Sequence, residues 1–454
     1  MIRPVRTGQS RIHGLRRAVS AWLRRELPGT EAFPFGRWML RLHPTACMVY
    51  LTCLLLCTTQ LLGLYVYLPG LGTLYSTDFS FLTLALTAAV SLTHTAFKTR
   101  RLRLSARFLP LLSALCLMIL VEIAVTRYNI RQPLRLIARE GFFYLVPPLC
   151  FLALIQYPEI RRADFLPRFM GLIVLFSVLA SLVALCAFTL YSLWEINLLQ
   201  VELTREMFRY GTLRLRVHGV VLYTGLIISL TRLLRGRAGG MDALNLALGL
   251  VNVLFISKTR TAMLYLGLTF FWMMMTEKRV HPLFKLFCFF LIWLAVIAAA
   301  AVSDRLIPAV REYAERDPGI MVRFRAIDHY MAQFRTYPLT GIGLLSSSRQ
   351  IPGWELLYGP RGQYYRSDVG LVGLINEFGL LGLFWVIWFL SGSFRRAGRS
   401  PAVLPRVIRG LVVYLTVSMV NLSMMDPGRC MYIFLICAFL ETLPAETAGP
   451  RELL

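Results

Sequence analysis

The chain has 454 residues, of which 57% are hydrophobic and only 16% are charged, and its mean hydropathy is +0.60. A soluble domain carries roughly a quarter charged residues, so this composition excludes a soluble enzyme, a disordered chain and a fibrous protein. The class that remains is an all-α polytopic membrane protein. The net charge of +25 is large for such a chain, but membrane spans leave little room for a basic nucleic-acid-binding face, and we expect no nucleic-acid partner.

The first 44 residues form a basic arm ahead of the first apolar segment. Ile12, Leu15, Val19, Trp22 and Leu23 fall on one helical face with arginines around them. This pattern predicts an interfacial helix on the inner leaflet, attracted to anionic lipid. An arm that binds nucleic acid is the alternative. The long polar opening does not read as a signal peptide.

Twelve apolar segments follow, and several are short of the ~20 residues that cross a bilayer. They run near residues 46–68, 79–97, 108–125, 142–156, 169–193, 219–234, 244–257, 262–276, 282–302, 369–390, 407–422 and 431–443. The seventh and eighth are separated only by Lys258, Thr259 and Arg260, so this junction is the weakest point of the count.

Basic residues orient the bundle, because short cytoplasmic loops retain arginine and lysine. Most of the short basic loops obey this rule when the N-terminus is inside. The predicted organisation is a cytoplasmic arm (1–44), nine membrane helices (45–302), a large outer loop with short helices (303–367), three membrane helices (368–443) and a cytoplasmic tail (444–454).

Cysteine and histidine show no pattern of a metal site or disulfide framework. The nine cysteines lie inside or at the edge of apolar runs, and the six histidines are scattered. We therefore expect no metal and no other cofactor.

The outer loop contains one predicted helix. Phe324, Ile327, Met331 and Phe334 recur at helical spacing, which predicts a helix that packs these residues against the bundle. Pro338 and the glycines of the following Tyr337–Gly343 stretch, YPLTGIG, then end it.

Arginines in the predicted outer loops require an explanation, because short loops that carry arginine usually lie on the cytoplasmic side. Arg214 and Arg216 precede the sixth span, and Arg260 opens the eighth within the stretch SKTRTAMLYLGL. The planar fork of arginine binds phosphate bidentately, and a helix N-terminus adds its own preference for anions. Pairing with phospholipid headgroups and acidic neighbours is the alternative for any single arginine.

Two acidic residues mark the tenth span, in the stretch RSDVGLVGLINEFGLLGL. Asp368 lies at its mouth, and Glu377 lies ~2.5 turns deeper. Carboxylates inside a membrane are costly and by default functional, and Glu122 in the third span is another one. Glu122 could equally be the buried partner of an arginine. If Arg366 pairs with Asp368, it lowers the pKa of that carboxyl.

From about Leu213 to Leu383 the chain resembles the bacterial O-antigen ligase and O-antigen polymerase superfamily. The resemblance rests on RVHG, SKTRTA, PLTGIG and NEFGLLGL. It implies that Arg214 or Arg216, Arg260, and Arg323 with Arg325 close behind, engage the donor pyrophosphate. The ligase branch carries a histidine eleven residues before the first glycine of GLLGL, where this chain has Asp368. That difference favours polymerase-like members.

The resemblance implies a metal-independent glycosyltransferase of the bacterial inner membrane with a periplasmic active site. Its donor would be an undecaprenyl-pyrophosphate-linked oligosaccharide, and a glycan hydroxyl would be the acceptor. Asp368 would orient or deprotonate that hydroxyl, with Glu377 or His218 as other candidate bases. A chain-length regulator or a flippase would be a further partner. The alternatives are an O-antigen ligase acting on lipid A core and, in another class, a polysaccharide or lipid transporter.

Overall fold

The computed structural model describes residues 46–59, 67–68, 72–73, 76–99, 108–162, 164–197, 208–209, 212–213, 215, 219–301, 318–398 and 402–443. Within these ranges the chain is almost entirely helical. The first helices are α1 (Ala46–Thr58), α2 (Ser76–Thr99), α3 (Leu109–Asn129), α4 (Leu134–Leu154), α5 (Phe165–Trp194), α6 (Gly219–Leu234) and α7 (Gly240–Val251). They are followed by α8 (Arg260–Thr276), α9 (Pro282–Ala301), α10 (Pro318–Thr336), α11 (Trp354–Tyr358), α12 (Gly370–Arg396), α13 (Val403–Ser418) and α14 (Met431–Glu441).

Short elements connect these helices. Two antiparallel pairs of two-residue strands lie in the connections, β1 (Tyr67–Leu68) with β2 (Gly72–Thr73) and β3 (Phe208–Arg209) with β4 (Thr212–Leu213). A 3-10 turn at Pro158–Arg161 precedes α5, and another at Arg366–Val369 leads into α12.

Each of the twelve predicted spans overlaps a helix, so the described residues agree with a predominantly helical membrane protein. Among the described residues, five helices are long and apolar enough to cross a bilayer: Phe79–Phe97, Leu109–Asn129, Leu134–Leu154, Phe165–Trp194 and Arg366–Arg396. The number of crossings, twelve, therefore stays a prediction.

The junction of the seventh and eighth predicted spans is a true break. After α7 the backbone widens into a π-helical turn, Asn252–Ile256, and Lys258 then adopts a left-handed conformation with φ of 47°. Left-handed backbone cannot continue an α-helix of L-residues. Two separate helices, α7 and α8, therefore lie here, as the polar residues between them predicted.

A short helix, α14, lies at the centre of the bundle. Residues 431–440 of α14 are buried on every side, and this helix packs against α4 and α13. A helix that is apolar all round is stable only inside other helices. Around it, α5 packs against α6 and α7, and α8 packs against α13.

The helix ends lie on two sides of the bundle, and each side carries the loops that the predicted topology assigns to it. At one end the buried Gln132 side chain donates to the Pro352 carbonyl (2.6 Å) and accepts from the Ser346 amide (3.0 Å), so the 303–367 loop is fixed to the α3–α4 turn. At the other end Glu277 pairs with Arg235 (2.8 Å) and Arg406 (3.0 Å). Which set faces the cytoplasm stays a prediction.

The predicted loop helix is present as α10, but one of the four residues predicted to pack against the bundle faces outward. Phe324 is 58% exposed, whereas Ile327 packs with the buried Ala326 and Tyr330. The reason is polar: the Tyr330 hydroxyl donates to the Leu357 carbonyl (2.6 Å), and the Tyr330 carbonyl accepts from the Asn376 amide (3.2 Å). These two bonds fix the rotation of α10 about its axis.

Candidate functional site

The two glycine-containing motifs of the sequence meet at a kink in α12. Gly379 has φ of 58° and ψ of −155°, so the helical hydrogen-bond ladder breaks there. The broken ladder leaves the carbonyls of Asn376 and Glu377 and the amides of Leu380 and Leu381 without their helical partners.

The turn after α10 supplies those partners through four backbone hydrogen bonds. The amides of Ile342 and Gly343 donate to the carbonyls of Asn376 (2.8 Å) and Glu377 (3.0 Å). In return, the amides of Leu380 and Leu381 donate to the carbonyls of Pro338 (2.9 Å) and Leu339 (3.1 Å). The PLTGIG and NEFGLLGL motifs thus form one joint.

The joint leaves no room for a side chain at Gly379. A Cβ there would lie 2.5 Å from the Gly341 nitrogen and closer still to the Leu339 carbonyl. Gly341 itself has φ of 68°, a conformation that glycine adopts without steric cost. Glycine at these two positions therefore permits the close packing of the turn against α12.

Arg366 connects this joint to a buried carboxylate. Its guanidinium donates to the Gly343 carbonyl (3.2 Å) and lies 3.4 Å from Glu377 Oε1, to which the Tyr144 hydroxyl also donates (3.2 Å). The side chains of Arg366 and Glu377 are only 11% and 12% exposed. Arg366 therefore turns inward to Glu377 and does not pair with its sequence neighbour Asp368.

Glu122 lies next to this pair on α3. Its side chain is fully buried, and among the described residues neither carboxyl oxygen has a hydrogen-bond partner. The Glu122 carboxyl lies within electrostatic range of Arg366 and Glu377. The backbone at Gly343 packs against the same turn of α3, since a Cβ there would lie 3.2 Å from the Glu122 carbonyl oxygen.

Asp368 pairs with a different arginine at the rim of the joint. Arg323 Nη2 lies 3.8 Å from Asp368 Oδ2, and both side chains are nearly half exposed. Arg325 is also exposed on α10, but two residues along a helix place it on a different face from Arg323. The structure thus brings Asp368 and Arg323 together and does not add Arg325 to that pair.

Arg260 lies at the same end of the bundle, at the first residue of α8 and exposed. Tyr265 follows five residues later on α8, about 7.5 Å further along the helix axis, and it lies near Asn421 and within electrostatic range of Arg323 and Arg429.

Arg214, Arg216 and His218 lie outside the described residues. Leu215, between the two arginines, is buried and packs in one cluster with Ala184, Ala187 and Ile256. Because Ile256 ends the turn that leads to α8, the chain at Leu215 lies beside the segment that carries Arg260.

Sequence reasoning missed a pair of charged residues, Asp426 and Arg429, in the segment between α13 and α14. Arg429 donates to the carbonyls of Leu422 (2.6 Å) and Ser423 (3.3 Å) and to the Ser418 hydroxyl. Burial, the largest cause, and the charge of Asp368 raise the pKa of Asp426 to about 6, while Arg429 opposes the shift. The sequence signal for this pair was the presence of two opposite charges in a short connection between two apolar segments.

The end of the bundle that carries Asp368 therefore combines exposed arginines with carboxylates held at different depths. Exposed arginines can bind an anionic leaving group without a metal. The carboxylates can orient or deprotonate a hydroxyl. A pyrophosphate leaving group and a hydroxyl acceptor fit these two functions.

Comparison with known proteins points to the same region. Residues 245–387 match a family model described as O-antigen ligase, and this interval contains Arg260, Arg323, Asp368 and Glu377. No curated protein matches the chain. With the apolar helices, the match indicates a multi-pass membrane protein that transfers glycan from a lipid-linked oligosaccharide to an acceptor. Residues 245–387 of this chain are thus a domain of the O-antigen ligase and polymerase superfamily.

Proposed function

We propose that this protein polymerises repeat units of a surface polysaccharide, O-antigen or exopolysaccharide, at the periplasmic face of the bacterial inner membrane. Its donor is a glycan linked to undecaprenyl pyrophosphate, and its acceptor is a hydroxyl of a second glycan. The observation that carries this proposal is the Arg323–Asp368 pair, 3.8 Å apart and accessible, within the region that matches the family.

The leaving group sets the first requirement. As the bond between sugar and pyrophosphate breaks, negative charge develops on the pyrophosphate, and fixed cations lower the barrier. Arg260 and Arg323 are exposed at the same end of the bundle, and Leu215, which lies between Arg214 and Arg216 in the sequence, packs with Ile256 just ahead of α8. We assign these arginines to the donor pyrophosphate, with Arg325 as an outer contact.

The acceptor sets the second requirement. Asp368 is nearly half exposed and can accept a hydrogen bond from an acceptor hydroxyl, whereas Glu377 is enclosed by Arg366 and Tyr144. Glu377 therefore acts as a positioning residue that holds the PLTGIG turn through Arg366. The position where ligase-like members carry a histidine is Asp368 here, which supports polymerisation over transfer to lipid A core.

Lipid analysis of a deletion strain tests the reaction. A polymerase mutant accumulates donor that carries a single repeat unit, whereas a ligase mutant accumulates long lipid-linked polymer. Accumulation of neither would overturn glycan transfer and favour a transporter.

Two variants test the assignment of residues. Arg260→Ala and Asp368→Ala should each abolish polymer formation in the complemented strain while the protein still inserts in the membrane. Arg161→Ala and Asp164→Asn, which alter exposed residues before α5, are the matched controls and should retain polymer. Polymer of normal length and yield with Arg260→Ala or Asp368→Ala would contradict the assignment.

A further inference from the structure

The segment 419–430, which joins α13 to α14, lies directly on the start of α12. The Leu371 amide donates to the Met419 carbonyl (2.7 Å), and a Cβ on Gly370 would lie 2.6 Å from the Asn421 nitrogen. Gly370 follows Asp368 by two residues. The segment that carries Asp426 is thus packed against the turn that carries Asp368.

Asp426 faces charged and titratable groups from every element around it. These groups are Asp368 from the 3-10 turn, Glu377 from α12, Tyr144 from α4, and Arg429 and Cys430 from its own segment. The backbone at Gly428 lies beside the Asp426 carboxylate, since a Cβ there would be 3.3 Å from Asp426 Oδ2. The residue as a whole is partly exposed.

The other carboxylates of the cluster are already engaged. Asp368 pairs with Arg323, and Glu377 pairs with Arg366 and Tyr144. Asp426 has no ion pair within 4 Å among the described residues, because Arg429 directs its donors to Leu422, Ser423 and Ser418.

Glu122 is an independent observation that points to the same centre. Both of its carboxyl oxygens are buried without a hydrogen-bond partner in the described part of the chain, and the group faces Arg366 and Glu377. A buried polar group left without a partner is rare and requires an explanation such as a catalytic role. This end of the bundle therefore contains acidic groups that form no ion pair within the described residues.

We propose that Asp426 is the catalytic base of the glycan transfer and that Asp368 orients the acceptor hydroxyl. This assignment rests on the proposed function. The hydroxyl oxygen attacks the anomeric carbon of the donor sugar, and a new carbon–oxygen bond forms. The bond between that carbon and the pyrophosphate oxygen breaks, and undecaprenyl pyrophosphate leaves with the electron pair. The hydroxyl proton moves to the Asp426 carboxylate and is then released to water.

The pH dependence follows from this role. A base must be deprotonated to act, and a base is most effective when its pKa lies near the working pH. The pKa of Asp426 is raised to about 6 by burial and by Asp368. Transfer should therefore be half-maximal near pH 6, approach its full rate at neutral pH and above, and fall further as the pH is lowered.

The experiment uses the purified full chain in liposomes, with the lipid-linked glycan extracted from the deletion strain as donor. The wild-type protein should show an inflection of rate near pH 6. Asp426→Asn, which removes the charge and keeps the size of the side chain, should lose at least about 100-fold in rate at neutral pH. Asp426→Glu should recover part of that rate. Asp328→Asn on α10 alters another acidic residue of the same loop region and should leave the rate unchanged.

Each outcome decides a different point. Normal rate in Asp426→Asn, or an unchanged inflection near pH 6 in that variant, would overturn the assignment. If Asp426→Asn fails to fold, as judged by elution in detergent, the wild-type profile decides, and a profile without the inflection overturns it. Failure of the wild-type protein to transfer any glycan would refute the proposed function and not this assignment alone.

Discussion

Replacing Gly379 with alanine should loosen the joint between the α10–α11 connection and α12. The substitution places a Cβ where the Leu339 carbonyl and the Gly341 nitrogen already lie. The backbone at Gly379, with φ of 58° and ψ of −155°, is also in a region that only glycine occupies readily. The turn and the helix must therefore move apart.

The expected loss of stability follows from these two effects. Holding a residue other than glycine in that backbone region costs about 1–3 kcal/mol. Four backbone hydrogen bonds join the turn to the helix, and each contributes about 1 kcal/mol. If the displacement breaks half of them, Gly379→Ala destabilises the protein by about 3–5 kcal/mol.

Gly392 provides the matched control. It lies in the same helix, with no positive φ, and a Cβ there meets no atom within 4 Å. Gly392→Ala should leave stability unchanged or raise it by up to about 1 kcal/mol, because alanine favours helix. Thermal unfolding of both full-length variants in one detergent measures the difference. Equal midpoints for the two variants would refute the argument from the joint.

Two further substitutions test buried charges at opposite ends of the bundle. Arg366→Met should cost about 3–5 kcal/mol because it leaves Glu377 buried without a cation, and adding Glu377→Leu should restore part of that stability. A double variant less stable than Arg366→Met would contradict this explanation. Glu277→Gln should also lower the unfolding midpoint, since it leaves Arg235 and Arg406 without their carboxylate, while the rate of glycan transfer in the remaining folded protein stays normal. A midpoint equal to that of the wild-type protein would show that this ion cluster does not stabilise the bundle.

The helices could be predicted from the sequence because their signal is local. Each apolar run overlaps a helix of the described residues, and the three polar residues Lys258, Thr259 and Arg260 marked the break between α7 and α8. Helical spacing also predicted α10. The outward orientation of Phe324 could not be predicted, because Tyr330 and Asn376 fix the rotation of α10 through a contact between residues 46 positions apart.

The site was predictable only in part for the same reason. Asp368 and Glu377 were found because acidic residues are conspicuous in an apolar helix. The partners of these two carboxylates could not be predicted. Arg366 pairs with Glu377 and not with its sequence neighbour Asp368. The proximity of Asp368 to Asp426 depends on how the segment 419–430 packs against α12. The pairing of the PLTGIG turn with the kink at Gly379 likewise consists of long-range backbone bonds.

The ion cluster around Glu277 has a mechanical consequence. It ties Arg235, directly after α6, and Arg406, near the start of α13, to the residue that ends α8. The Glu277 side chain is only 2% exposed, and dissolved salt screens buried ion pairs much less than surface ones. These three helix ends therefore stay joined at ionic strengths that would weaken a surface ion pair.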